Sequence, residues 1–231
     1  PCTVSKLFMT PFNNIPPRIP PSLAKGDKIA IIAPAAQLVD TTLFSEGLTI
    51  LQEMGFEPVY PRDLWPGDFY LAESDEKRAY EFNKMWVDPE IKALLTVRGG
   101  FGCIRMLPYL DRNTLQSHQK LLIGFSDITL LNAFLLNHFN IMSIHGPVLT
   151  ALPSCTREAL HRFYNSLTGK VGNTLNLPEF EILKEGTPIS APLIGGNLST
   201  LMTALSTEYD FDYSGKYLFL EDIGEPQYKL D

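Results

Sequence analysis

The sequence predicts an α/β protein whose first domain is a largely parallel sheet flanked by helices. Short apolar runs of strand length alternate with segments in which apolar side chains recur at helical spacing, and short connections join them. Proline, glycine and an Asp-Pro pair end several of these segments, as they commonly end strands and helices. This alternation is typical of parallel sheets, in which each strand is followed by a crossover helix.

The first element is predicted as a strand over Lys28–Ala33, because Pro34 ends an apolar run there. A helix over Thr41–Met54 follows, with its apolar side chains on one face and Gly55 as a stop signal. The remaining elements of this domain are strands Glu57–Tyr60, Lys92–Val97, Leu121–Phe125 and Ile141–His145, and helices Asp75–Trp86, Ser126–His138 and Thr156–Leu167.

Four regions are predicted along the chain. Residues 1–24 form an extended proline-rich arm, and residues 25–168 form the N-terminal α/β domain. Residues 169–188, rich in Gly, Pro, Asn and Thr, form a linker between domains. Residues 189–231 begin a second, incomplete C-terminal domain that is too short to bury a core of its own. In that region we expect a tight turn at Gly195-Gly196-Asn197, a helix over Leu198–Leu205 and a strand over Lys216–Glu221.

Composition excludes several classes of protein. The 231 residues are 45% hydrophobic and 19% charged, which is ordinary for a globular chain. A net charge of −7 and no basic cluster argue against a nucleic-acid partner. No apolar run approaches the ~20 residues that span a bilayer, so no membrane association is predicted. Three scattered cysteines form neither a disulfide framework nor a metal-binding pair, which favours a cytoplasmic protein.

Ser126 has the strongest indication of chemistry. It follows the apolar run Leu121–Phe125 and precedes the amphipathic stretch Asp127–Phe134. A serine on such a strand–turn–helix exposes its Oγ at the carboxyl edge of a parallel sheet, as in the nucleophile elbow of hydrolases. The match is partial, because Gly124-Phe125-Ser126-Asp127-Ile128 has only the first glycine of G-x-S-x-G. A serine in this position is also a common helix N-cap, which needs no chemistry.

A glycine loop, Arg98-Gly99-Gly100-Phe101-Gly102, follows the strand Lys92–Val97 directly. Its backbone N–H groups could bind a phosphate, but the Rossmann spacing and the Walker lysine are both absent. They could instead form an oxyanion hole together with the N–H of Asp127. A tight turn without any ligand is the third possibility.

An acidic pair, Glu221-Asp222, ends the apolar strand near the C-terminus. A carboxylate in that position could orient a histidine in a Ser-His-Asp/Glu relay, whereas many strand-end carboxylates are simply solvated. Asp127 offers a further carboxylate, which we expect to stabilise the N-terminus of its own helix. Cys103 is interpreted as a packed thiol, because no suitably placed histidine would activate it.

Six segments, taken in order, resemble the LD-carboxypeptidases of serine peptidase family S66. This family includes muramoyltetrapeptide carboxypeptidases and microcin C immunity peptidases. The segments are Gly26–Pro34, Arg98–Gly102, Ile123–Thr129, His145–Pro147, Gly195–Ser199 and Leu220–Pro226. Each segment is short, so the resemblance depends on their common order, and it covers nearly the whole chain from about Lys25 onward.

The resemblance implies a serine carboxypeptidase without metal or other cofactor. Such an enzyme releases a C-terminal D-amino acid, typically D-alanine from the murein tetrapeptide in peptidoglycan recycling. By this resemblance Ser126 is the nucleophile, Glu221 orients a histidine base, and the N–H groups of Gly100 and Asp127 hold the oxyanion. The resemblance also implies a homodimer with a small peptide as its substrate.

Three further residues are assigned to substrate binding. Gly99 belongs to the glycine loop, and Arg98 beside it could bind the carboxylate that a carboxypeptidase must recognise, because guanidinium groups match carboxylates. Arg105 is the alternative to Arg98 in that role. His145 is predicted to end a strand at the same sheet edge as Ser126. The family carries a histidine-glycine-proline at this point in addition to its catalytic histidine, so the resemblance implies that His145 lines the cleft.

The chain departs from the family at the general base. The family's catalytic histidine lies downstream of the segment that matches Leu220–Pro226, and none of the four histidines of this chain does. His145 is the only candidate substitute at the correct sheet edge, and we expect it not to serve. The chain as given is therefore expected to be nearly inactive, as a serine hydrolase without its histidine is.

The chain is interpreted as a fragment of an LD-carboxypeptidase. The alternatives are a microcin C immunity-type peptidase and a non-catalytic binder of murein peptides or of a partner protein.

Overall fold

The main sheet contains five parallel strands in the order β2-β1-β3-β4-β5. The structure is a computed structural model that describes residues 17–60, 67–170 and 190–230 and the single residues 181, 183, 184 and 186. The strands are β1 (Lys28–Ile32), β2 (Glu57–Val59), β3 (Ile91–Thr96), β4 (Leu121–Gly124) and β5 (Ile144–His145). The helices of this region are α1 (Thr41–Glu53), α2 (Asp75–Val87), α3 (Cys103–Met106), α4 (Arg112–Ser117), α5 (Thr129–Phe139) and α6 (Arg157–Leu167).

Helices cover both faces of this sheet, and side chains of β1 alternate between two apolar clusters. Ala30 and Ile32 contribute to the cluster beneath α2 and α5, whereas Ile29 and Ile31 contribute to the cluster beneath α1 and α6. All four are almost fully buried. Strands that are buried on both faces have nearly continuous apolar sequences, which explains why these strands could be predicted from the sequence.

The parallel arrangement brings the chemistry-bearing loops to one edge. Leu95 of β3 pairs with Ile123 of β4, and Gly124 of β4 pairs with His145 of β5. The glycine loop therefore follows the carboxyl end of β3, and Ser126 follows that of β4. His145 is the last residue of β5, the next strand in the sheet. Ligand sites of open parallel sheets lie at this edge.

A second, smaller unit follows. It contains β6 (Leu193–Asn197), α7 (Leu198–Ala204), β7 (Tyr217–Glu221) and α8 (Gln227–Leu230). The strands β6 and β7 form a two-stranded parallel sheet. Ile194, Leu201 and Phe211 are buried in the same cluster as side chains of α5. This unit thus shares the core of the first domain instead of building one.

The predicted α/β fold is confirmed, and most predicted elements lie within one or two residues of the observed ones. Three predictions need correction. The helix expected from Ser126 begins at Thr129 as α5, after a 3₁₀ turn over Ser126–Ile128. The strand expected over Ile141–His145 is confined to Ile144–His145. Gly195-Gly196-Asn197, expected as a turn, lies inside β6.

The short helices α3 and α4 were not predicted, because neither is long enough to show apolar periodicity. The proposed division into an arm, two domains and a linker stays a prediction. Residues 1–16 of the arm, and most of the linker 169–188, lie outside the described residues. Within the described ranges, no helix is long and apolar enough to cross a membrane.

Candidate active site

Ser126 occupies a strained turn between β4 and α5. Its φ is +62°, in the left-handed region that non-glycine residues rarely adopt. Phe125 before it is extended, and the 3₁₀ turn leads directly into α5. A left-handed serine between a strand and a helix is the backbone feature of a nucleophile elbow, and such strain is concentrated at functional sites. The conformation goes beyond what a simple N-cap requires, since N-cap residues have extended backbone and Ser126 does not.

Two glycines allow the elbow to pack closely. A Cβ added to Gly99 would lie 2.8 Å from Ser126 Cβ and 2.9 Å from Ser126 Oγ. A Cβ on Gly124 would collide with Thr96 Oγ1 and would lie 2.9 Å from side-chain atoms of Ile128. The glycine loop and the end of β4 are therefore in contact with the serine turn, without space for a side chain at either position.

The glycine loop is held against the segment that follows β1. Gly100 has a φ of +115°, and a Cβ there would collide with the Cβ of Ala36. The Ala36 N–H donates to the Gly99 carbonyl at 3.3 Å. Among the described residues, the N–H groups of Gly100 and Asp127 have no hydrogen-bond acceptor. Both residues line the same cavity as Ser126, so two backbone donors are available beside the serine.

The carboxylate of Asp127 is not where it was expected. It is buried, and its Oδ2 accepts the N–H of Cys103 at 2.8 Å, at the start of α3. It therefore caps a helix that follows the glycine loop, not its own helix. Burial raises the pKa of Asp127, and the hydrogen bond from the Cys103 N–H partly opposes this rise.

The acidic pair at the end of β7 divides into two distinct roles. Asp222 accepts the N–H groups of Ser199 and Ile223 and the side-chain amide of Asn197, at 2.8 to 3.1 Å. Burial alone would raise the pKa of Asp222, but these hydrogen bonds outweigh burial and lower it to about 2. Asp222 thus fastens β7 to the start of α7, whereas Glu221, which lines the cavity together with Asp222, lies against His145.

His145 lies beside Glu221. Its Nε2 is 3.5 Å from Glu221 Oε1, and its ring contacts Phe125 and Phe219 edge-on, with centroids 6.3 and 5.5 Å away. Burial lowers the pKa of His145, and the neighbouring Glu221 carboxylate partly opposes this. The imidazole is therefore biased toward its neutral form, in which a ring nitrogen can accept a proton.

A cavity of about 320 Å³ collects most of the predicted residues. Gly100, Ser126 and Asp127 line one wall, whereas Asn197, Ser199 and Glu221 line the opposite wall. One wall thus comes from the large sheet and the other from the β6–β7 unit. The Asn197 N–H donates to Thr129 Oγ1 at 3.0 Å and joins the two walls at the base.

The other predicted residues lie at the edge of this site or outside it. Arg98 is half-buried and donates to the Gln37 carbonyl at 3.4 Å. Arg105 pairs with Asp75 and donates to the Tyr70 hydroxyl at 3.2 Å. Neither arginine lines the cavity. Cys103 is fully buried, and burial raises the pKa of its thiol well above the usual range, which fits a packed thiol.

The remaining histidines are elsewhere. His138 contacts Arg112, with 3.0 Å between Nδ1 and Nη2, and His161 lies against Asn165 on α6. His118 lines a second cavity of about 500 Å³, which also includes Lys92 and Lys120. That cavity is at the amino end of the strands and contains none of the predicted site residues. His145 is the only histidine that the described part of the chain places beside Glu221.

The family of the chain follows from its match to known domains. Residues 29–146 match the family described as LD-carboxypeptidase N-terminal domain, and residues 190–231 match the LD-carboxypeptidase C-terminal domain. The chain belongs to the S66 LD-carboxypeptidase family. The family resemblance predicted from the six segments is therefore confirmed.

Individual members of the family agree with this assignment. The murein tetrapeptide carboxypeptidase of Pseudomonas aeruginosa is 34% identical over 214 residues, which cover 88% of this chain and 69% of that protein. The microcin C7 self-immunity protein MccF superposes with a TM-score of 0.77 at 26% identity, over 89% of this chain and 71% of that one. A muramoyltetrapeptide carboxypeptidase from Oxalobacter formigenes superposes with a TM-score of 0.72 at 28% identity, over 88% of this chain and 68% of that one.

Sequence patterns missed three residues that shape the site. Thr129 and Asn197 connect the two walls, and Arg78 binds the glycine loop from below. Asn197 follows Gly195 and Gly196, and this glycine pair predicted only a turn, not a contact between the two walls. Arg78 lies in a helix among other charged residues, so nothing in the sequence distinguishes it from a solvated side chain.

Proposed function

We propose that this chain carries the nucleophile and oxyanion site of a serine LD-carboxypeptidase, which releases D-alanine from the murein tetrapeptide. The observation that carries the proposal is the left-handed Ser126, placed beside two backbone N–H groups in a chain of the S66 family. The names of relatives, among them a murein tetrapeptide carboxypeptidase, support the substrate class. We place the reaction in the cytoplasm and the active species in a homodimer.

In the proposed reaction, Ser126 Oγ attacks the carbonyl carbon that precedes the terminal D-alanine. The hydroxyl proton passes to a general base, and the N–H groups of Gly100 and Asp127 bind the oxygen that becomes negative. The tetrahedral intermediate collapses, the protonated base gives its proton to the leaving amine, and D-alanine departs. Water then hydrolyses the acyl-serine by the same steps in reverse order. These steps need only a nucleophile, a base and oxyanion donors, so the proposal includes no metal or cofactor.

Glu221 is proposed to orient the general base. Its carboxylate lies beside the His145 ring, whereas the carboxylate of Asp222 accepts the backbone N–H groups of Ser199 and Ile223. By family resemblance the base is a histidine downstream of Leu220–Pro226, which these 231 residues do not include. The contact of His145 with Glu221 supports a competing assignment, in which His145 is the base. We propose the first assignment, in which Gly99, Arg98 and His145 contribute to substrate binding, although none of the three lines the cavity as it stands.

A second candidate substrate is an aminoacyl-nucleotide conjugate. Structures of MccF in complex with aspartyl sulfamoyl adenosine and with glutamyl sulfamoyl guanosine superpose on this chain with TM-scores of 0.77 and 0.76. Both substrate classes present a carbonyl to a serine nucleophile, so the site described above serves either one. The substrate class is therefore a separate question from the mechanism.

The test is D-alanine release from the murein tetrapeptide, measured with and without added imidazole for the 231-residue chain and its Ser126→Ala variant. Without imidazole we expect no release above the Ser126→Ala control, because the removal of the histidine costs about 10⁶-fold in the subtilisin case. With imidazole as an external base we expect release that depends on Ser126. A sulfamoyl-adenosine conjugate of aspartate, tested in parallel, separates the two substrate classes.

The outcomes separate the two assignments of the base. Ser126-dependent release without imidazole that disappears in a His145→Asn variant would make His145 the base. Release that is equal in the wild-type and Ser126→Ala chains would contradict the serine mechanism altogether.

A further inference from the structure

A single peptide unit behind the glycine loop is held on both sides by buried charged residues. This unit joins Gly102 to Cys103. Its carbonyl, on Gly102, accepts a hydrogen bond from Arg78 Nη1 at 3.0 Å, and its N–H, on Cys103, donates to Asp127 Oδ2 at 2.8 Å. The positive side chain thus lies at the negative end of the peptide dipole, and the negative side chain lies at the positive end.

Both charged residues are almost completely removed from solvent. Arg78 is 1% exposed and Asp127 is 2% exposed. Hydrogen bonds to charged groups are stronger than neutral ones, and burial strengthens their electrostatic part further. Arg78 also donates to the carbonyls of Glu73 and Pro34 and pairs with Asp75, so its own position is fixed by four partners.

We call Arg78, Asp127 and the peptide unit that they hold the clamp. It connects parts of the chain that together make the proposed oxyanion site. Asp127 directly follows Ser126, so its carboxylate extends from the serine turn, whereas Cys103 directly follows the glycine loop. Pro34 belongs to the segment after β1 that also packs on Gly100 through Ala36. A shift of the Gly102–Cys103 peptide would therefore change the distance between the N–H groups of Gly100 and Asp127.

We propose that Asp127 and Arg78 are positioning residues, which clamp the Gly102–Cys103 peptide and so set the spacing of the two oxyanion donors. Asp127 then has two functions. Its backbone N–H is one of the donors, and its side chain fixes the loop that carries the other. The inference rests on the proposed function, because the spacing matters only if these N–H groups bind an oxyanion.

The test uses matched variants of the 231-residue chain. Asp127→Ala removes the acceptor for the Cys103 N–H, and Asp127→Asn keeps a carbonyl oxygen that can accept it. Asp111→Ala is the control, since Asp111 also accepts backbone N–H groups at the start of a helix, those of Asn113 and Thr114 at 3.0 and 3.3 Å, and it does not line the cavity. Arg78→Lys weakens the opposite side of the clamp while it keeps the charge.

Two readouts are needed, and neither requires turnover. The first is amide hydrogen exchange of residues 99–103. The second is the affinity ratio between a peptide boronic acid, which forms a tetrahedral adduct with a serine hydroxyl, and the matching unreactive peptide amide. In Asp127→Ala we expect loop exchange to increase about tenfold or more, because a buried hydrogen bond is lost. We expect the boronate preference to fall about 10- to 100-fold, as a small displacement at a reacting centre can cause.

Asp127→Asn should recover most of both values, Arg78→Lys should show smaller losses of the same kind, and Asp111→Ala should show neither. Faster loop exchange with an unchanged boronate preference would overturn the positioning role, as would equal losses in Asp127→Ala and Asp111→Ala. A wild-type chain whose boronate preference does not depend on Ser126 would instead contradict the proposed function, and the positioning role with it.

Discussion

The strands β4 and β7 both end at the same cavity, but they are built differently. All four residues of β4 are buried, and the strand lies between β3 and β5 in the large sheet. The apolar side chains Tyr217–Leu220 of β7 are each 40% to 49% exposed, and this strand pairs only with β6 among the described residues. The proposed nucleophile therefore follows a strand in the core of the protein, whereas the carboxylate proposed to orient the base ends a much more exposed strand.

This difference indicates how each wall is fixed. The Ser126 wall is held by packing, since Gly99, Gly100 and Gly124 leave no space between neighbouring segments. The Glu221 wall packs on α5 through Ile194 and Leu201 of β6 and α7, but β7 itself is joined to this wall mainly by its pairing with β6 and by the hydrogen bonds that Asp222 accepts. Strain at Ser126 is sustainable because its surroundings are rigid.

The largest effect should come from the same substitution in the two strands. Leu122→Ala in β4 removes a fully buried side chain and should lower the free energy of unfolding by about 3 kcal/mol, within the usual range for such cavities. Leu218→Ala in β7, where the side chain is 49% exposed, should cost less than about 1 kcal/mol. Urea denaturation of both variants measures the contrast. Equal losses would mean that β7 is as well packed as β4.

The next effect concerns the packing of the glycine loop. Gly99→Ala places a methyl group within 3 Å of Ser126 Oγ, so the boronic acid affinity should fall roughly 100-fold through displacement of the nucleophile. Gly186→Ala is the matched control, because nothing lies within 4 Å of its added Cβ and its φ is not in the left-handed region. An unchanged affinity in Gly99→Ala would show that the elbow is not braced by the loop.

A smaller effect should reveal the strain at the elbow. Ser126→Gly should raise the free energy of unfolding by about 1 kcal/mol relative to Ser126→Ala, since glycine adopts a φ of +62° without steric cost. The greater freedom of glycine in the unfolded chain opposes this gain, so the two variants must be compared in the same denaturation series. A less stable Ser126→Gly protein would argue against a strained serine.

The smallest expected effect is a change in the pKa of His145, which tests the contact between His145 and Glu221. Burial holds the pKa of His145 below its ordinary value of 6.5, and the Glu221 carboxylate opposes this shift. Glu221→Gln should therefore lower the pKa of His145 further, which a titration of the imidazole resonances by NMR measures. A rise or no change would show that the two side chains are not in contact in solution.

Because burial lowers the pKa of His145 in the folded protein, the free energy of unfolding should depend on pH. The unfolded chain binds a proton at His145 more readily than the folded chain, so the contribution of His145 is complete above about pH 6.5 and is lost as the pH falls below it. Stability should decrease less between pH 6.5 and 5.5 in His145→Gln than in the wild type. Because the pKa of His138 is also lowered by burial, only the difference between the two proteins is informative.

The elements buried on both faces were predictable from the sequence, because apolar runs such as Leu121–Phe125 and the prolines and glycines after them are local signals. Ser126 and the glycine loop were predictable for the same reason, as residues that directly follow such strands. The role of the Asp127 carboxylate was not, since its partner Cys103 is 24 positions away and only tertiary packing brings the two together. The different contacts of Glu221 and Asp222 were not predictable either, because Asp222 accepts the Ser199 N–H only where α7 begins beside the end of β7.

The central claim is that Ser126 and the N–H groups of Gly100 and Asp127 form one acyl-transfer site. The most direct measurement is a crystal structure of the 231-residue chain with a peptide boronic acid whose boron replaces the scissile carbonyl carbon. We predict a bond from boron to Ser126 Oγ, with one boronate oxygen within about 2.7 to 3.1 Å of both N–H groups. Boron bound elsewhere, or a boronate oxygen out of reach of both donors, would contradict the claim.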